Sequence, residues 1–190
     1  ACGALDVTEE AMESYRISLE LDPEYVEGHV AIAAAYAKAE RYREASAAYK
    51  VSLRFLPRDP VLHRRLGEVQ VKLEKLEDAI ESLERSSELD PENELAFFLL
   101  GTTYASLERL EESQRAVKRC LELSCERAEA FQLMADVSLR LGAIEEAVKA
   151  FEEAVSRTPD FAQGWVELGK LYRDAGKPED AARALEQSLR

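Results

Sequence analysis

Prolines at 23, 57, 91 and 159 stand in one phase, 34 residues apart, with Cys125 at the one phase position that is not proline. The tetrapeptide Leu-Asp-Pro-Glu occurs at 21–24 and again at 89–92, two periods on. No insertion or deletion is needed anywhere in the 190 residues. A strict period of this length marks a repeat array, in which each unit buries its apolar face on its neighbours. Cut at the period, the chain is a single array. It comprises a half-repeat, 1–25, and five repeats at 26–59, 60–93, 94–127, 128–161 and 162–190.

Within each repeat the apolar residues recur at i, i+3, i+4 and i+7, which predicts two helices. In the second repeat the first helix carries Val61, Leu62, Leu66, Val69 and Leu73, and the second Leu76, Ala79, Ile80 and Leu83. Short charged or Gly-containing turns separate them, at 39–41, 74–75, 108–109, 142–143 and 176–177. Proline closes a repeat because it cannot continue a helix but is accepted in a first turn. The eighth residue of each repeat is small: Ala33, Gly67, Gly101, Ala135 and Gly169. The twentieth (Ala45, Ala79, Ser113, Ala147, Ala181) and twenty-seventh (Ser52, Ser86, Cys120, Ala154, Ser188) are small too. Between them stand Tyr49, Leu83, Val117, Phe151 and Leu185. Small set against large is how packed helices interdigitate.

Trp165, Leu168-Gly169, Tyr172 and Ala181 in the fifth repeat, with Leu100-Gly101 and Tyr104 in the third, resemble the tetratricopeptide repeat (TPR). The resemblance covers essentially the whole chain. It implies an all-α fold, a right-handed superhelical solenoid of antiparallel helix pairs with the first helix of each repeat on the concave side. Departures are Cys125 for the terminal proline, Ser113 for alanine, and Gln70 and Ser138 for an aromatic residue. The joint of the fourth repeat is expected to be the least regular.

A net charge of −13 argues against nonspecific nucleic-acid binding. No apolar run approaches the ~20 residues of a membrane-spanning helix, so no membrane insertion is expected. Three cysteines, Cys2, Cys120 and Cys125, make no disulfide framework and favour a reducing, cytoplasmic setting. The start Ala1–Leu5 can be read as the tail of a helix cut from a longer protein. The alternative is the mature end of a bacterial envelope lipoprotein, which would place the chain in the periplasm. His29 and His63 share the fourth position of adjacent repeats, where this family often has Trp, and read as structural. Cys120 and Cys125 lack a zinc spacing, and the Glu145-Glu146 and Glu152-Glu153 runs read as solvated surface. No phosphate loop or catalytic triad is visible. The chain is expected to be no enzyme, with no cofactor and no metal.

Residues 2, 5, 9, 12 and 13 of each first helix share one face. That face carries six cations (Lys38, Arg64, Lys72, Arg140, Lys170, Arg173) and five anions (Glu27, Glu68, Glu129, Asp136, Asp174), so the acidity resides elsewhere. Its apolar stretch is Val30, Ala34, Ala37, Val61, Val71, Leu95, Phe98 and Ala105. It is either an open groove or partly covered by neighbouring helices. With Lys38, Arg64, Lys72 and Thr102 these residues form the candidate site for a protein or peptide segment, and Phe98 is expected to lack a helix partner. The family's two-carboxylate clamp needs Lys and Asn at positions 5 and 9, and no repeat has them. Its asparagine ladder is absent as well, since Asn93 is the only asparagine. The expected function is a noncatalytic interaction scaffold. The regulatory arm of a larger enzyme and an envelope assembly lipoprotein are its rivals. Uncovered apolar ends suggest end-to-end self-association of the fragment.

Overall fold

The computed structural model describes the backbone of residues 2–123 and 127–189, with side chains from Met12 onward in those ranges. Cys2 and Cys125, and the joint preceding the fourth repeat, therefore lie outside the residues whose side chains are described. Eleven α-helices make up the described residues. They are α1 (Cys2–Leu21), α2 (Val26–Lys38), α3 (Tyr42–Phe55), α4 (Pro60–Lys72), α5 (Leu76–Leu89), α6 (Glu94–Ser106), α7 (Leu110–Glu122), α8 (Ala128–Arg140), α9 (Ile144–Arg157), α10 (Ala162–Asp174) and α11 (Pro178–Gln187). Sequential helices pack as antiparallel pairs. The chain divides into two compact units, Ala1–Ala96 and Phe97–Arg190.

Each pair reverses direction through one left-handed residue: Glu40, Glu74 and Glu108 at φ 58–59°, and Gly142 and Gly176 at 75° and 71°. The next residue then bonds back to the first helix, Arg41 N–H to Tyr36 O at 2.9 Å and Lys177 N–H to Tyr172 O at 2.8 Å. This is the Schellman closure, which satisfies the last carbonyls of a helix. Arg41, Arg109 and Lys177 also lie over the rings of Tyr36, Tyr104 and Tyr172 at 4.8, 4.7 and 6.0 Å, a cation–π contact on the turn. Helix starts are held by side chains where the sequence supplies them. Asp59 Oδ1 accepts from the N–H groups of Val61 (2.8 Å) and Leu62 (3.0 Å), and Asn93 Oδ1 from Ala96 (3.1 Å).

The small eighth position makes the closest approach. A methyl added at Gly67, Gly101 or Gly169 would stand 2.5–2.7 Å from Leu83, Val117 or Leu185 on the paired helix. Ala33 and Ala135 instead share core clusters with Tyr49 and Phe151, whose flat rings leave room for a methyl. At this position glycine thus faces a branched side chain, and alanine shares its cluster with a ring. The fourth-position rings close the preceding turn. His29 Nε2 lies 2.9 Å from Pro23 O, His63 Nε2 3.0 Å from Pro57 O, and Trp165 Nε1 2.9 Å from Pro159 O. A carbonyl only accepts, so each histidine carries its proton on Nε2. Ser113, in place of alanine, donates to Gly101 O at 2.7 Å and ties α7 to α6. Cys120 is fully buried at its small-residue position.

α1 departs from the reading of Ala1–Leu5 as the tail of a separate first helix, because it runs unbroken from Cys2 to Leu21. A reversal would need Asp6 in the left-handed region, at about 1–2 kcal/mol.

Candidate functional site

In the N-terminal unit, Val30 and Ala34 line a pocket of about 490 Å³ together with Glu27, Leu56, Asp59 and Arg65. α2 supplies the first pair and Glu27 from one face. Leu56 enters from the turn after α3, and Arg65 from α4. A second hollow of about 590 Å³ adjoins it along the turn, lined by Phe55, Leu56, Pro57 and Val61. Phe55, Leu56 and Val61 are 39, 39 and 41% exposed, unusual for bulky apolar side chains in so short a stretch. Leu56 belongs to both hollows, and sequence reasoning missed it. The signal was present: its column holds aspartate at 22 and 90, where Oδ1 accepts from the N–H of Glu24 (3.1 Å) and Glu92 (3.3 Å). Leu56 gives up that turn bond and presents an apolar surface instead.

The other candidates of this unit are dispersed. Ala37 is half-buried against the core around Tyr49 and Leu66, and Val30 touches the same core from its inner side. Val71 and Leu95 are half-buried, while Lys38 and Lys72 are exposed. Arg64 is ion-paired with Glu68 one turn along α4. Tyr49 is raised above the usual phenol range, chiefly by burial, with the Arg65 guanidinium bonding to it and pulling the other way.

In the C-terminal unit the expectation for Phe98 is corrected. It is half-buried against the Cys120–Ala130 cluster, with the Arg127 guanidinium 5.9 Å from its ring centre. Its periodic position gave the right face of α6 but could not show that α7 and α8 reach it. Thr102 Oγ1 is spent on Leu99 O at 2.9 Å, and Ala105 is half-buried. Farther on the face is polar. Gln163 Nε2 (2.7 Å) and Lys170 Nζ (2.8 Å) both donate to Glu167. Asp136 is held above the usual carboxylate range by burial first and by the Glu167 charge second. Among the described residues no His, Cys, Asp and Glu cluster could hold a metal ion, and no helix is long and apolar enough to cross a membrane.

The family model described as Tetratricopeptide repeat matches residues 64–120 and 133–190, more than half of the chain. The chain belongs to the tetratricopeptide repeat family. Solved TPR-type structures superpose on it closely. A crystal structure of MamA is 24% identical, with a TM-score of 0.78 over 83% of this chain and 92% of its own. YrrB, described as a TPR protein with an unusual peptide-binding site, is 21% identical, with a TM-score of 0.80 over 94% and 92%. PilF of Pseudomonas aeruginosa is 20% identical, with a TM-score of 0.78 over 94% and 82%. At these identities the likeness is one of fold. No curated protein sequence matches the chain significantly. Binding of proteins and peptides is the generic role of TPR repeats.

Proposed function

We propose that this TPR chain is a noncatalytic interaction scaffold whose N-terminal unit takes a partner's peptide segment on the first-helix face. The carrying observation is the pocket that joins Val30 and Ala34, two positions chosen from the repeat pattern, to the exposed Leu56. An apolar hollow bordered by Glu27 and Arg65 suits a bulky aliphatic or aromatic anchor in a segment whose polar groups meet the rim. Burial of such an anchor contributes about 1.5–3 kcal/mol, and Leu56 and Val61 extend the apolar surface along the turn. The peptide-binding site named for YrrB supports the class of ligand.

The test is a pair of substitutions that leave the core alone. Leu56→Asp restores the residue of the neighbouring repeats, and Ala34→Glu places a charge on the pocket floor. Peptides selected from a random library on the wild-type protein should bind each variant about tenfold more weakly, with melting unchanged for Leu56→Asp. Undiminished binding to both variants refutes the assignment.

A further inference from the structure

A third hollow, of about 490 Å³, opens elsewhere in the N-terminal unit, between α3 and α5 with α4 as its floor. Leu53, Leu66, Gln70 and Ser82 line its depth. Its rim carries the carboxylates of Asp78, Glu81, Glu84 and Glu88 against two lasting cations, Lys50 and Arg85, and His63. Arg85 is already paired with Glu88 at 2.8 Å.

The lining departs from the other repeats in three places at once. Where Gln70 stands, repeats 1, 3 and 5 have Tyr36, Tyr104 and Tyr172. Where Ser82 stands, the other four have Ala48, Ala116, Ala150 and Ala184. Where Glu81 stands, repeats 3, 4 and 5 carry the opposite charge, Arg115, Lys149 and Arg183. A Tyr–Ala pair beneath a cation has thus become a Gln–Ser pair beneath an anion. Gln70 is only 3% exposed. Its amide nitrogen faces the carbonyls of Leu66 (3.3 Å) and Asp78 (3.1 Å) and Ser82 Oγ (2.7 Å). Two of those are acceptors only, which fixes the orientation. The residue lines the hollow beside Ser82.

We propose that this hollow is a docking site for a basic segment of a partner protein, separate from the first-helix face. A lysine or arginine with its aliphatic stem fits an apolar floor of Leu53 and Leu66 beside the carboxylate wall of α5. An acidic segment would meet like charge along the α5 wall.

Fluorescence anisotropy on the full chain tests this, with a labelled amphipathic lysine–leucine peptide as probe and its glutamate–leucine counterpart as control. The basic peptide binds, the acidic one does not, and added salt weakens the complex. The double variant Gln70→Tyr with Ser82→Ala, and separately Glu81→Arg, each restore residues the fold accepts in other repeats, so both keep the wild-type melt. Each weakens the basic peptide about tenfold. Glu145→Arg, the same charge change at an exposed position of α9, leaves it nearly unchanged. The proposal is overturned if the basic peptide does not bind, or if Gln70→Tyr with Ser82→Ala binds as wild type does. It is equally overturned if Glu81→Arg and Glu145→Arg weaken binding alike, which would mean general attraction to an acidic chain.

Discussion

Gly101 offers the sharpest test of the packing. Replacing it with alanine puts a methyl 2.5 Å from Val117 Cγ2, about 1 Å inside the ordinary carbon–carbon separation. Val117 is fully buried and β-branched, so its rotamer in α7 is nearly fixed and the helices must part. Overpacking of this kind costs about 1–3 kcal/mol. The gain in helix propensity from Gly to Ala returns about 1 kcal/mol, so the net loss is about 1 kcal/mol. In a Val117→Ala background the obstructing methyl is gone, and the remaining neighbours stand at 3.5 Å, ordinary contact. There Gly101→Ala should stabilise, by up to about 1 kcal/mol. The sign therefore reverses, with a coupling near 2 kcal/mol. Urea unfolding of the four proteins, followed by far-UV circular dichroism, measures it. Gly101→Leu should fall at the upper end, about 3 kcal/mol, and the exposed control Glu153→Gln within about 0.5 kcal/mol of wild type. If Gly101→Ala stabilises the wild-type background, the close approach of α6 and α7 is refuted.

Phe98→Glu should lower the melting temperature markedly, since it would bury a charge against Cys120 and Ala130; an unchanged melt would return Phe98 to an open face. Ser138 is fully buried, and its Oγ has no hydrogen-bond partner among the described residues. Ser138→Ala should then gain about 1 kcal/mol in chemical unfolding, and a loss of stability contradicts the orphaned hydroxyl. Asp136 titrates above the usual carboxylate range in the folded chain, so its ionisation opposes folding. Asp136→Asn should stabilise at neutral pH, and the gain should vanish once the pH falls below the ordinary carboxylate range. A gain that persists in acid contradicts the burial and Glu167 as its cause.

The period made the helices legible, because 34 residues return each side chain to the same place on a helix pair. Gly101 and Val117 could be matched by position alone. Position on one helix does not say what a third helix covers, and this is why Phe98 was read as open. The candidate hollows were hidden for the opposite reason: they arise where the chain breaks its own repeat. Leu56 displaces a turn aspartate, and Gln70 with Ser82 displaces a Tyr–Ala pair. Gln70 was visible as a departure, but its consequence needed the geometry of α5.

The central claim is that a partner segment seats on the first-helix face of the N-terminal unit. Backbone amide chemical-shift mapping of the full chain tests it most directly, with a peptide selected for binding to the wild-type protein. The account predicts that the shifts concentrate at residues 26–34 of α2 and 55–61 of the following turn. Shifts confined to other residues, with those two segments unmoved, would contradict it.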